Sequence, residues 1–294
     1  MPAEPVNGGD PIAPTILLEL ALETAREAGA LLRAKLGAPR EVSFKAGHND
    51  LVTDGDRAAE ALITERIRAR FPAHRILAEE GATGAEVSPY RWLIDPVDGT
   101  TNFAHNVPAF AVSVGVERDG QLQAGVVYNP AADELFAASL GHGATLNGQP
   151  IAVTTVGQPE SALIGCGAIS FRRHGRTIKV GRAFWSLTQG CRTTGAAALD
   201  LCYVACGRFE VFCGPSLCPW DVAAGALIVQ EAGGAVTDFD GNPYHLDRRD
   251  ILASNGAIHS FALRVAQGKI SGRPSLAKGL GGLRKRRPPR SAGD

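Results

Sequence analysis

No stretch of this chain approaches the roughly 18 consecutive apolar residues needed by a bilayer-crossing helix, which excludes a membrane span of that kind. Met1 to Pro14 has neither the basic flank nor the apolar run of a secretory leader, so the expected location is cytoplasmic. Cysteine is present without a pattern: six residues fall between Cys166 and Cys218 at irregular spacings, with no repeated C-x-x-C. That argues against a zinc site and for packed, reduced thiols. A disulfide framework is equally unexpected, because 294 residues that are 45% hydrophobic can bury a core of their own. No internal repeat is evident.

Formal net charge is also lacking, but the balance is uneven. From Lys269 onward eight basic residues face one acid, Asp294, which leaves 22 basic and 29 acidic residues in the rest, a net of −7. An acidic body with a basic, Gly/Pro-containing end predicts a disordered tail over 268–294. Nucleic acid is not an expected partner: the basic tail is the one candidate contact, and its expected state is solvated and without a partner. Residues 1–14 read as a flexible lead-in.

What is present reads as two halves. From Thr15, taken as an N-cap, Leu18, Ala21, Ala25, Ala28 and Leu32 form an apolar stripe at helical spacing. A second helix is expected from about Asp54 to Phe71. Strand-like runs follow, with Asp119-Gly120 and Asn147-Gly148 as hairpin turns, giving an antiparallel meander with helices on one side. After about residue 155, strand candidates (162–165, 209–212, 235–238, 251–254) alternate with helix candidates (197–206, 221–232, 258–267). The expected division is an α+β half over 15–155 and an α/β half over 156–267.

The chemistry concentrates in Trp92-Leu-Ile-Asp95-Pro-Val-Asp98-Gly-Thr100-Thr101-Asn102-Phe103. An apolar strand delivers Asp95 at its end, Pro96 stops the strand, and a turn brings Asp98 to the same side. Such oxygen-rich turns suit Mg²⁺, with the Val97 carbonyl as a further donor. Gly99 lets a phosphate approach the main chain, and the amides of Gly99, Thr100 and Thr101 can form an anion cradle. The Thr100 hydroxyl is placed to hold a water. Glu79-Glu80-Gly81 ends another strand. Asp221 opens a helix, where capping is an equally good reason for an acid. Gly225 permits close helix packing, and Gly233-Gly234 ends that helix.

Asp95-Pro-Val-Asp-Gly-Thr-Thr-Asn-Phe and Trp220-Asp-Val-Ala-Ala-Gly…Glu231-Ala-Gly-Gly resemble the two signature segments of the inositol monophosphatase family. Glu79-Glu80-Gly81 and Lys45 with Asp50-Leu-Val-Thr53-Asp-Gly-Asp56 resemble its remaining motifs, and the likeness runs from about Leu18 to Gln267. The resemblance implies a layered αβαβα sandwich, usually a homodimer, that carries out Mg²⁺-dependent, Li⁺-sensitive phosphomonoester hydrolysis. It implies Glu79, Asp95, Val97, Asp98 and Asp221 as metal ligands, with Asp56, Thr100 and Glu79 handling the attacking water. Gly99, Thr100, Thr101, Gly195, Ala196, Ala197, Asp221 and Lys45 would meet the substrate. Five such carboxylates in one pocket raise one another's pKa unless cations intervene, and two or three Mg²⁺ would supply them.

The substrate implied is myo-inositol monophosphate. Two departures from the family pattern bear on it: Gly214 stands where the family places a glutamate seven residues before Asp221, with Glu210 the nearest upstream acid, and Gly167-Ala-Ile-Ser170-Phe171-Arg172 is altered. Related phosphatases act on histidinol phosphate, fructose 1,6-bisphosphate or adenosine 3′,5′-bisphosphate. A regulatory binding role, with RNA polymerase or RNA, is the alternative of another class.

Overall fold

Leu17, Ala21, Ala25, Ala28 and Leu32 recur at helical spacing and lie buried along α1 (Pro14–Lys35), the first element of the computed structural model. Residues 11–38, 41–44, 51–84, 87–167 and 175–271 are described. Thr15 is not the N-cap. Ala13 is, without a side-chain bond, and Pro14 fills the first helical position, where a missing N–H costs nothing.

The chain continues through β1 (Val42–Phe44), β2 (Leu51–Thr53), α2 (Asp54–Arg70), β3 (Arg75–Ala78), β4 (Ala82–Gly84), β5 (Tyr90–Asp98), α3 (Thr100–Ala104), β6 (Ala111–Arg118), β7 (Gln121–Asn129), β8 (Glu134–Ser139), β9 (Ala144–Leu146) and β10 (Gln149–Ile151). Beyond these come β11 (Leu163–Cys166), α4 (Gly175–Leu187), β12 (Gly190–Arg192), α5 (Ala197–Ala205), β13 (Val211–Gly214), α6 (Pro219–Glu231), β14 (Ala235–Thr237), β15 (Ile251–Ser254) and α7 (His259–Ala266).

An eight-stranded sheet has the order β10-β9-β8-β7-β6-β5-β3-β4. From β5 to β10 it is the expected antiparallel meander, while β3 joins parallel to β5. Pro96 does not end β5. The ladder to β6 is interrupted between Asp95 and Asp98 and resumes at Asp98↔Ala111, so a bulge absorbs the proline. A five-stranded sheet, β12-β11-β13-β15-β14, is parallel over its first three strands and antiparallel over the rest.

Helices cover both faces of the larger sheet, not one. α1 and α2 pack on its outer face around Trp92, Phe103 and Ile63; α5 and α6 pack on its inner face. The inner pair also meets the five-stranded sheet, whose far side carries α4 and α7 around Phe184 and Val265. The result is the αβαβα layering. One apolar cluster, including Leu93, Phe136, Leu199, Phe212, Ala223 and Ile251, joins both sheets through the middle layer.

Small residues set the distance of that layer. Gly115 and Gly125 are cross-strand partners, and a Cβ on either would come within 2.8 Å of Ala223 or Ala224 in α6. Across the layer, a Cβ on Gly225 would lie 2.7 Å from the Leu201 side chain of α5, so the expected close helix packing is present. None of the six cysteines forms a disulfide, and Cys166, Cys202 and Cys213 are buried. Among the described residues, no helix is long and apolar enough to cross a membrane.

Candidate active site

Three chain segments bring Glu79, Asp95, Asp98 and Asp221 to one cleft. Residues of β3 and β5 pair in parallel with Ala78 opposite Ile94, and the Glu79 amide donates to the Ile94 carbonyl at 3.1 Å, so Glu79 comes level with Asp95. The bulge then carries the chain to Asp98, while Asp95 Oδ1 accepts from the Val97 amide at 3.0 Å. Asp98 accepts from the amides of Ala197 (3.1 Å) and Ala198 (2.7 Å), and so caps α5 from about a hundred residues upstream. Asp221 sits in the first turn of α6 and accepts from the Cys218 amide at 2.7 Å, so capping and a place in the cleft hold together.

The resulting cavity, of about 170 Å³, is lined by Glu79, Asp95, Val97, Asp98, Gly99, Thr100, Gly167, Gly195, Ala196, Ala197, Asp200, Leu217 and Asp221. Asp56 lies fully buried behind it. It completes a capping box with Thr53 at the start of α2 and faces Thr100, whose Oγ1 stands 3.1 Å from Asp56 Oδ1 and 3.0 Å from the Val97 carbonyl. Gly99 has a φ of 89°, a left-handed turn that a side chain would strain, and a Cβ there would lie 3.0 Å from the Ala109 carbonyl. The glycine therefore serves the turn as well as any approach of a ligand.

Thr101 is exposed and outside the lining, since only the first residue of the short α3 reaches the cleft. Lys45, Asp50 and 168–174 lie outside the described residues, as do 1–10 and 272–294 of the two expected flexible ends. Gly214 has no room for a larger residue: a Cβ would meet Leu217 at 2.6 Å and the Phe212 ring at 2.7 Å. Glu210 does not line the cleft; its carboxylate accepts from Leu163 N (2.6 Å) and Thr154 Oγ1 (3.2 Å).

Two positions escaped the sequence reading. Asn102 Nδ2 donates to the carbonyls of Ala109 (2.6 Å) and Thr194 (2.7 Å), fastening the loop before α5 to the loop after α3. Asp200 lines the cleft from the first turn of α5 and is 1% exposed. Its signal was a lone acid in the apolar run Ala-Ala-Leu-Asp-Leu-Cys.

Burial, followed by the nearby charges of Glu79, Asp98, Asp221 and Asp56, raises Asp95 well above the usual carboxylate range. Asp98 is raised by burial and then by Asp221, against the pull of its two amide donors. Burial lifts Asp221 to about 7, opposed by the Cys218 amide and reinforced by Glu79. Asp56 is raised by burial too. No Lys, Arg or His is among the described lining residues, so nothing in the wall itself neutralises these acids. Nor does any group of three or more acidic, His or Cys side chains among the described residues form a ready cage for one ion. A hard-oxygen donor set spread along a cleft fits a cation that completes its shell with water and substrate oxygens, the habit of Mg²⁺.

Layering, strand order and cleft together are those of the αβαβα sandwich of the sugar-phosphatase type. The sequence profile of the inositol monophosphatase family matches residues 14–271. An inositol-1-monophosphatase of Mesorhizobium japonicum is 40% identical over 267 residues, covering 89% of this chain and all of that protein. A Nus factor SuhB of Pseudomonas aeruginosa is 42% identical over 271 residues, covering 89% and 99%. The solved extragenic suppressor protein suhB of Bartonella henselae superposes with a TM-score of 0.83 at 37% identity, covering 87% and 100%. The chain belongs to the inositol monophosphatase family, whose members are phosphatases of phosphomonoesters and generally metal-dependent.

Proposed function

We propose that this chain is a Mg²⁺-dependent phosphatase that hydrolyses a small phosphomonoester, myo-inositol monophosphate first among them, to the alcohol and phosphate. The observation that carries this reading is the convergence of Glu79, Asp95, Asp98 and Asp221 on one cleft without a basic residue among its described lining. In it, Glu79, Asp95, the Val97 carbonyl, Asp98 and Asp221 would hold two or three Mg²⁺, which would supply charge neutralisation for the acids and the phosphate, activation of water and stabilisation of the departing alkoxide.

The protein's own part is positioning and proton handling. Thr100 holds the attacking water through its hydroxyl, and Asp56, 3.1 Å from that hydroxyl and raised by burial, takes up the proton. Glu79 assists from the same end of the neighbouring strand. Main-chain amides at Gly99 and Thr100, the two residues of this turn that line the cleft, receive phosphate oxygens. Gly195, Ala196 and Ala197 border the leaving alcohol, next to the amides that fix Asp98. A cytoplasmic homodimer completes the reading.

The test is phosphate release from myo-inositol 1-phosphate, histidinol phosphate, fructose 1,6-bisphosphate and adenosine 3′,5′-bisphosphate, with Mg²⁺, with EDTA and with added LiCl. The expected result is Mg²⁺-dependent, Li⁺-inhibited turnover, fastest on the inositol ester. Turnover that persists in EDTA refutes the metal assignment, and a faster sister ester replaces the substrate. The Pseudomonas relative, a Nus factor by name, favours a second reading as a transcription-associated binding protein. Retention of RNA polymerase on an Asp98→Asn protein that no longer turns over substrate would support it.

A further inference from the structure

Six polar side chains line the cleft among the described residues, and five of them have a place in the chemistry proposed above. Asp200 has none. The rest of the lining, at Gly167, Gly195, Ala196, Ala197 and Leu217, offers no polar side chain. Among the described residues, a ligand reaching beyond the phosphate position therefore meets one side-chain acceptor, the carboxyl of Asp200.

That carboxyl is an expensive feature to keep for packing alone. It is 1% exposed, between Leu199 and Leu201, on a helix whose other buried residues are apolar. Thr194 engages it twice, through the hydroxyl to Oδ1 at 2.9 Å and through the backbone amide. A carboxylate has about four acceptor positions, so Thr194 leaves about half of them. Those that remain belong to a group bordering the cleft, beside the loop that adjoins the leaving alcohol.

We infer that Asp200 is a specificity-determining residue that accepts a hydrogen bond from a hydroxyl of the departing alcohol. This rests on the phosphatase reading. It adds that a phosphate on a hydroxyl-free alcohol is a poorer substrate because Asp200 is then left facing the ligand without a donor. Discrimination of this kind is strong, since a buried acceptor deprived of its partner is penalised in full.

The experiment compares wild type, Asp200→Ala, Asp200→Asn and Thr194→Val, with Mg²⁺, on two hydroxyl-bearing esters (myo-inositol 1-phosphate and glycerol 2-phosphate) and on hydroxyl-free p-nitrophenyl phosphate. Asp200→Ala is expected to lower kcat/KM on the polyol esters by about 10–100-fold, the range of one hydrogen bond to a charged group, and on p-nitrophenyl phosphate by less than about threefold. Asp200→Asn keeps the shape and one acceptor oxygen, so it should recover part of the polyol rate; it also serves if the alanine variant does not fold. Thr194→Val removes a hydrogen bond that orients the Asp200 carboxyl, so it should lower the rate on the polyol esters by less than Asp200→Ala does and leave p-nitrophenyl phosphate within about threefold. Equal losses on all esters for the Asp200 variants, or no loss on any, overturn the inference while leaving the phosphatase reading intact. Wild-type protein that cleaves none of the three esters overturns both.

Discussion

Replacing Asp98 by asparagine separates the two things this side chain does. As a cap it accepts from Ala197 and Ala198; as an acid it adds charge to a cleft where burial and Asp221 already oppose ionisation. Asparagine keeps the shape and one acceptor oxygen, so one amide bond is lost, a cost of about 1 kcal/mol. Removing the carboxylate also relieves repulsion in the cleft, which acts against that loss, so the metal-free variant should lose no more than about 1 kcal/mol. With Mg²⁺ the two should part. At a hundred times its dissociation constant, an ion binding only the folded state adds about 2.7 kcal/mol. For a chain of this size that raises Tm by about 5–11 °C, at about 2–4 °C per kcal/mol. Wild type should show that rise between EDTA and saturating MgCl₂, and Asp98→Asn less than about 2 °C of it. Thermal melts read both, and turnover on the preferred ester should fall at least about a hundredfold, the scale of losing one electrostatic partner of the transition state. A variant that keeps the full Mg²⁺-dependent rise would refute the argument, as would a wild type that shows none.

Two other perturbations probe the scaffold. Gly225→Ala places a Cβ 2.7 Å from the Leu201 side chain, so α5 and α6 must separate; a loss of about 1–3 kcal/mol in urea melts is expected, with lower activity because Asp221 rides on α6. Unchanged stability would show that the contact gives way at no cost. His74 accepts from Trp92 Nε1 at 3.0 Å between the rings of Phe71 and Tyr90, and burial lowers its pKa to about 4. Because the unfolded chain binds the proton more tightly, this contribution is whole above about pH 6.5 and is lost as pH falls toward about 4. The loss should be about 2 kcal/mol after allowing for screening, and His74→Gln should remove most of that slope from urea midpoints measured between pH 7.5 and 4.5.

Much of the site was legible because its acids stand at the ends of local elements. Asp95 closes the apolar run of β5 just before its bulge, Asp221 opens a helix, and Gly225 permits the packing it suggested. The hairpin at Asp119-Gly120 was readable for the same reason, its residues having positive φ of 50° and 83°. What stayed hidden depends on contacts between distant segments. Nothing local says that β3 lies parallel beside β5, that α5 and α6 cover the inner face of the larger sheet, or that Asp98 caps a helix a hundred residues away. Pro96 misled because a bulge preserves pairing where the proline alone predicts a stop. Asp200 was missed because one acid in an apolar helix carries meaning only once the helix is known to border a cavity.

Over most of their length the middle helices have no side turned to water, and Gln230 in the last turn of α6 is the exposed exception. α5 and α6 meet a sheet above, a sheet below and each other, so nearly every position along them must be apolar or small. In such a layer a carboxyl survives only where the packing stops, and each helix has one in its first turn, Asp200 and Asp221, both at the cavity. The first-turn acids of those two buried helices therefore stand where the packing opens onto the pocket, while Glu231, at the far end of α6, accepts from the amides of Gly141 and Gly143.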